Sequence, residues 1–245
     1  PNVITYNAAI SACEKGQQSE RALDLLLSMQ HQRLTPDLIT YNAAISACET
    51  GRVLELLLSM QQREISPDII TYSAAISVCE PDKTLELLQG MLQKRLMPNV
   101  ITYNVAISAC SKGQLWERAL ELFWEMEQQG LRPDVITYNA AMSASDRQWD
   151  NSLELLRSMR HRGLRADVIT YNVAINAYSK GQHPKKALEL LTGMRQQWLT
   201  PDIITYNAAI SACEQSGQWL DALGLLAEIQ QCDLEPDDIT YSAAV

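Results

Sequence analysis

Six asparagines in this 245-residue chain directly follow a tyrosine: Asn7, Asn42, Asn104, Asn139, Asn172 and Asn207. Ser73 and Ser242 fill the same slot in two further copies. Each belongs to a ten-residue motif, ITYNAAISAC at residues 4–13. It returns unchanged at 39–48 and 204–213 and in near copies starting at Ile70, Ile101, Ile136 and Ile169. Asparagine is a poor helix former because its side chain competes for backbone hydrogen bonds. A cost repeated six times points to a use. The amide carries both donors and an acceptor, which is what matching a nucleobase edge requires; a local hydrogen bond in the first helical turn is the competing explanation.

At helical spacing Ile4, Asn7, Ala8, Ser11 and Lys15 fall at i, i+3, i+4, i+7 and i+11 and share one face. That face offers an apolar residue, an amide, a small gap and, in some copies, a cation. The isoleucine of each copy could instead serve helix–helix contact.

The elements that hold this face follow from a second periodicity. The tyrosines Tyr6, Tyr41, Tyr72, Tyr103, Tyr138, Tyr171, Tyr206 and Tyr241 are spaced by 35, 31, 31, 35, 33, 35 and 35 residues. Self-similarity at 20–50 residues marks a solenoid, in which one repeat cannot bury its own apolar face and stacks on the next. Within a repeat, Tyr6, Ala9, Ile10 and Cys13 form the apolar stripe of a first helix, and Ala22, Leu25, Leu26 and Met29 that of a second. Gly16, Gly51, Gly113, Gly181 and Gly217 are expected to end the first helices. Pro36 stops the second, and Asp37 is placed to cap the next first helix. The expected architecture is all-α: about seven helix-turn-helix repeats at 3–37, 38–68, 69–99, 100–134, 135–167, 168–202 and 203–237, with a partial copy at 238–245. Two repeats are four residues short, about one helical turn, so their stripes keep phase. The repeat from Val135 is two short, and a local irregularity is expected at residues 146–149.

Composition agrees. Hydrophobic residues make up 47% of the chain, with a single Phe, which suits packed helices and excludes a disordered chain. No apolar run approaches the roughly 18 residues of a membrane span. The net charge of -9 argues against a non-specific polyanion binder, though not against a protein that reads bases and touches few phosphates. Five of six cysteines (Cys13, Cys48, Cys79, Cys110 and Cys213) hold one slot of the motif. Stacked copies of a slot lie about 10 Å apart, beyond disulfide reach, so they read as small buried residues in a reducing compartment. No C-x-x-C occurs and no zinc or other cofactor is expected. His31, His161 and His183 are expected to be solvated, and the ladder Met29, Met60, Met91, Met126, Met159 and Met194 to be core. Trp198 stands where other copies carry Gly130 and Gly163, as an exposed or half-packed turn residue. No nucleophile–base set converges, so no catalysis is expected. The start at Pro1 and the end at Val245 read as a piece of a longer protein, with protein partners available through the missing termini.

The pattern V-I-T-Y-N-x-x-I-S-A-C-x-K-G … A-L-x-L-x-x-x-M … G-L-x-P-D resembles the pentatricopeptide repeat family across essentially the whole chain. The resemblance implies an αα-superhelix (a right-handed solenoid) that binds single-stranded RNA, one base per repeat, in a mitochondrion or chloroplast. It also implies that the residue after the Tyr and the last residue of the repeat read the base together. The pairs are Asn7 with Asp37, Asn42 with Asp68, Ser73 with Asn99, Asn104 with Asp134, Asn139 with Asp167, Asn172 with Asp202, and Asn207 with Asp237. Asn with Asp resembles the family's uridine pair and Ser with Asn its adenosine pair, giving U-U-A-U-U-U-U. Ile4, Ile39, Ile70, Ile101, Ile136, Ile169, Ile204 and Ile239 match the residue that sandwiches bases. Lys15, Lys112, Lys180 and Arg147 match the phosphate-contacting slot; Thr50, Pro81 and Gln215 leave three repeats without a cation. A protein- or peptide-binding helical scaffold is the alternative, favoured by the acidic charge.

Overall fold

The computed structural model describes residues 1–145, 148–232, 234–237 and 240–241. Among these residues there are fourteen α-helices and no strands: α1 (Val3–Lys15), α2 (Ser19–His31), α3 (Leu38–Ala47), α4 (Thr50–Gln62), α5 (Ile69–Val78), α6 (Pro81–Gln93), α7 (Val100–Lys112), α8 (Trp116–Gln128), α9 (Val135–Ala144), α10 (Trp149–His161), α11 (Val168–Lys180), α12 (Pro184–Gln196), α13 (Ile203–Gln215) and α14 (Trp219–Gln231). The chain is an αα-solenoid of two compact bodies, Pro1–Leu131 and Arg132–Val245. In the first, α1 packs on α3, α3 on α5 and α5 on α7; in the second, α9 packs on α11 and α11 on α13. Odd-numbered helices therefore form one layer of each body, and each even-numbered helix packs against the odd-numbered helices beside it in the same body.

The core is the expected stripe. Ile10, Ile45, Ile76, Ile107, Ile175 and Ile210 are fully buried, and so are the methionines of the second helices from Met29 to Met194. Cys48, Cys79, Cys110 and Cys213 are buried; Cys13 is only half-buried. All six thiols are free, and burial pushes the Cys110 and Cys213 thiols up to about 11, where they are inert.

The short repeats shed residues at one place. Helices α3, α5 and α9 have 10 residues where α1, α7, α11 and α13 have 13, while the even-numbered helices all keep 13. The last turn of the first helix is what disappears, so its N-terminal turn is untouched. Of the residues where an irregularity was expected, Asp146 and Arg147 lie outside the described residues, and Trp149 opens α10.

Two expectations are corrected. Gly51 does not end a helix; it is the second residue of α4, because the shortened α3 has already stopped at Ala47. Gly16, Gly113 and Gly181 do follow their helices, but with negative φ. The left-handed residue is the next one: Gln17 (φ 51°), Gln114 (φ 58°) and Gln182 (φ 56°). At Gly113 and Gly181 glycine is needed for space instead. A Cβ on Gly113 would overlap Pro81 Cγ, and one on Gly181 would sit 2.8 Å from the Trp149 ring. The first residue of one second helix thus presses on the end of the following first helix.

His183 is also corrected: it is half-buried, with its ring 5.4 Å from that of Trp149 and 6.3 Å from that of Tyr178, both edge-on. Trp198 is 94% exposed in a left-handed turn (φ 60°). Among the described residues no helix is long and apolar enough to cross a membrane, and no group of three or more His, Cys, Asp or Glu could hold a metal.

Candidate functional site

Every first helix from α3 onward opens in the same way. An Asp or Asn in extended conformation (Asp37, Asp68, Asn99, Asp134, Asp167 or Asp202) accepts a hydrogen bond from the backbone N–H of the Thr three residues on, satisfying one of the orphan donors of the helix start. With Asp, the exchange is reciprocal. Asp37 N–H donates to Thr40 Oγ1 (3.1 Å) while Thr40 N–H donates to Asp37 Oδ1 (2.8 Å). The cap fixes the carboxylate at the mouth of the helix, whatever the length of the repeat.

The asparagine of the preceding first helix reaches this cap. Asn7 Nδ2 donates to Asp37 Oδ1 at 3.2 Å, Asn139 Nδ2 to Asp167 Oδ1 at 3.0 Å, Asn172 Nδ2 to Asp202 Oδ1 at 3.1 Å, and Asn207 Nδ2 to Asp237 Oδ1 at 3.1 Å. In these four repeats the partner of the amide lies 28–30 residues away and not in the same helical turn. Among the described residues Asn42 makes no bond to Asp68 and instead accepts from Thr71 Oγ1 at 2.7 Å. Asn104 lies in the first body and Asp134 in the second.

The third repeat is built differently. Ser73 Oγ lies 3.0 Å from Thr102 Oγ1, and Asn99 Oδ1 accepts from Thr102 N–H (2.9 Å) and Oγ1 (3.1 Å). With its oxygen committed to the cap, Asn99 presents an amide donor where the other repeats present a carboxylate acceptor.

The electrostatics follow from these bonds. Partial burial pushes the Asp37, Asp167 and Asp202 carboxyls up, but the Thr backbone N–H, the Thr hydroxyl and the Asn amide outweigh it and hold all three below the ordinary value. The acceptors stay ionised at neutral pH.

Isoleucines flank the pairs. Ile4, Ile39, Ile70 and Ile101 in the first body are 65–77% exposed, and Ile136, Ile169 and Ile204 in the second are 57–65% exposed. Most of each side chain is therefore in water. Ile239 lies outside the described residues, as does Arg147. Lys15, Lys112 and Lys180 are the exposed last residues of α1, α7 and α11. In the shortened repeats that turn is missing, and Thr50 and Pro81 start α4 and α6 instead.

Sequence reasoning missed the threonines. One precedes the Tyr in every copy, which was the available signal. Thr40, Thr71, Thr102, Thr170, Thr205 and Thr240 are fully buried and touch both members of the Asn–Asp or Ser–Asn pair beside them.

A stack of helix pairs that repeats one polar slot defines a helical-repeat protein. The sequence profile of the PPR repeat family matches residues 1–50, 98–145 and 201–245, and that of the pentatricopeptide repeat domain matches 55–113 and 154–216. The chain belongs to the pentatricopeptide repeat family. No curated protein matches it in sequence. Among solved structures it is similar to the pentatricopeptide repeat protein PPR10 from maize (TM-score 0.60, 23% identity, 100% of this chain and 41% of that one). It is also similar to PPR10 in complex with an 18-nt psaJ RNA element (0.54, 22%, 99% and 46%). A third is the PPR domain of Arabidopsis thaliana protein-only RNase P 1 in complex with tRNA (0.59, 13%, 75% and 94%). The chain thus spans less than half the length of the PPR10 chains.

Proposed function

We propose that this chain binds single-stranded RNA in a sequence-selective way, one base per helix pair, with U-U-A-U-U-U-U as its preferred target. The observation that carries the reading is the amide–carboxylate pair, at 3.0–3.2 Å in four repeats, set beside exposed isoleucines. An Asn that spends one amide hydrogen on Asp keeps the second to donate outward, and the carboxylate offers an acceptor beside it. Uracil's pairing edge carries O4 and N3–H side by side, an acceptor and a donor. The Ser73–Asn99 repeat reverses the second polarity: a donor replaces the acceptor, and the short Ser leaves room for a purine such as adenine. Pairs of isoleucines from consecutive repeats would hold each base between them, burying apolar area that is otherwise in water. The RNA-bound maize protein of the same family supports the reading.

The lysines that end α1, α7 and α11 would meet phosphates. Few cations and a charge of -9 imply a shallow salt dependence. The family also supports action on transcripts in a mitochondrion or chloroplast. Bases must be unpaired to enter the slots, so a gel-shift comparison of UUAUUUU with the same RNA annealed to its complement tests the proposal. The single strand should bind at least about tenfold more tightly. Equal affinity would leave only phosphate attraction, and no binding to either would turn the search to protein partners.

A further inference from the structure

The cations of this chain are gathered in one stretch. From Arg157 to Arg195 there are eight Lys or Arg against two acidic residues, in a chain of net charge -9. Several of them line one groove of the second body, between α10 and α12. It consists of two adjoining hollows of about 580 and 690 Å³. Arg157, Arg160 and Lys186 line the first and Arg160 and Arg165 the second, and Tyr171 of α11 borders both. Arg157 and Arg160 lie one turn apart on one face of α10. Arg157 stands where the other second helices carry Leu27, Leu58, Gln89, Trp124, Thr192 and Ala227.

The same kind of groove recurs in the first body with the opposite sign. Glu20, Asp24 and Glu55 line the one between α2 and α4, and Glu121 and Glu125 the one between α6 and α8. The cations there are already paired: Arg52 with Glu55 at 2.8 Å, and Arg118 with Glu121 at 2.5 Å. Among the described residues Arg157, Arg160, Arg165 and Lys186 form no ion pair. Lys186 Nζ lies over the Tyr178 ring, 5.6 Å from its centroid. Unpaired like charges along one groove repel each other, a cost that a bound polyanion removes.

We propose that this groove is a second RNA surface, which holds the phosphates of nucleotides 3′ to the seven read bases while Trp198 stacks on one of their bases. The proposal rests on the base-reading one, because the slots deliver the strand to the groove. Two observations favour RNA over an acidic peptide. The groove is continuous with a reading slot, since Asp167 lines its second hollow and also holds Asn139. An aromatic ring is free beside it: Trp198, 94% exposed, stands between the lining residues Gln197 and Leu199. A cationic groove with a free aromatic face is how single strands are held without regard to sequence, every base having a π-face to stack. The fifth, sixth and seventh slots all belong to this body, so the 3′ flank is the one within reach.

The test uses the whole chain and two RNAs, UUAUUUU and the same heptamer followed by eight cytidines, with affinities measured at two salt concentrations. The flank should tighten binding by about tenfold at low salt and steepen the salt slope by about 2, as two or three neutralised phosphates would. Arg157→Gln together with Arg160→Gln, both exposed positions, should lose most of the added affinity and slope and bind the bare heptamer as before. Trp198→Ala should lose part of the added affinity and keep the slope. No gain from the flank, or an equal gain in the double variant, would overturn the inference. So would a Glu-rich decapeptide that binds the unaltered chain and not the double variant while the flank adds nothing; the groove would then belong to a protein partner. A heptamer bound no better than its A/C-scrambled counterpart, with the flank gain still lost in the double variant, would refute base reading and support the groove.

Discussion

The amide nitrogen of Asn139 stands 3.0 Å from the carboxylate of Asp167, 28 residues further along the chain. One helix supplies the amide and the cap of the next supplies the carboxylate, so their spacing is set by helix packing and not by loop length. This explains why a repeat that has lost its last turn, such as α9, still makes the bond. In α9 the pair is kept without that turn, whereas in the equally short α3 Asn42 accepts from Thr71 and makes no bond to Asp68 among the described residues. If the lysines that end the longer helices meet phosphates, the repeats of α3 and α5 should contribute less to salt-dependent affinity.

Polarity at the end of the repeat should be transferable. Ser73→Asn together with Asn99→Asp would give the third repeat the donor–acceptor pair of its neighbours. Binding to UUAUUUU and UUUUUUU, measured side by side, should shift from favouring adenosine to favouring uridine by about tenfold. An unchanged preference would refute the assignment of these two residues.

Gly181 and Trp149 are in contact that leaves no room for a methyl group, since a Cβ would come within 2.8 Å of the indole. Gly181→Ala should destabilise the chain by about 1–3 kcal/mol in urea unfolding. The Trp149→Ala background should remove most of that cost. Gln182→Gly, one residue on, should stabilise by about 0.5–1 kcal/mol, because Gln182 holds a left-handed φ of 56° that glycine adopts freely.

Much of this was legible in the sequence. The tyrosine spacing gave the helix pairs, the Pro-Asp endings gave the caps, and the methionine slot gave the core, because each depends on local propensity or on periodicity. The glycines were read as breakers because nothing in the sequence reveals that Pro81 and Trp149 lie opposite Gly113 and Gly181. His183 was read as solvated for the same reason, its aromatic neighbours coming from another helix pair and another helix. The threonines escaped notice because a capping role accounts for one hydrogen bond, and the second appears only when Asn and Thr of adjacent repeats meet.

The lowered carboxyls tie stability to acid. In the folded state Asp37, Asp167 and Asp202 lie below their ordinary 3.8. Their contribution is therefore complete above that value and is lost as pH falls below it through their lowered pKa values. Asp167→Asn keeps a cap but not the charge. The stability gap between the unaltered chain and Asp167→Asn should be constant from pH 7 to about pH 5 and narrow below 3.8, read from urea midpoints at each pH. A gap that does not change down to pH 2.5 would mean that the ionised carboxylate is not what holds the asparagine.

The most direct measurement is the affinity of the purified chain for single-stranded UUAUUUU against an A/C-scrambled oligonucleotide of equal length, at two salt concentrations. Base reading through the Asn–Asp slots predicts preference for the first by at least about tenfold, with a shallow salt slope. Equal binding to both, or binding to neither, would contradict it and leave the repeated Tyr-Asn to a role in stacking alone.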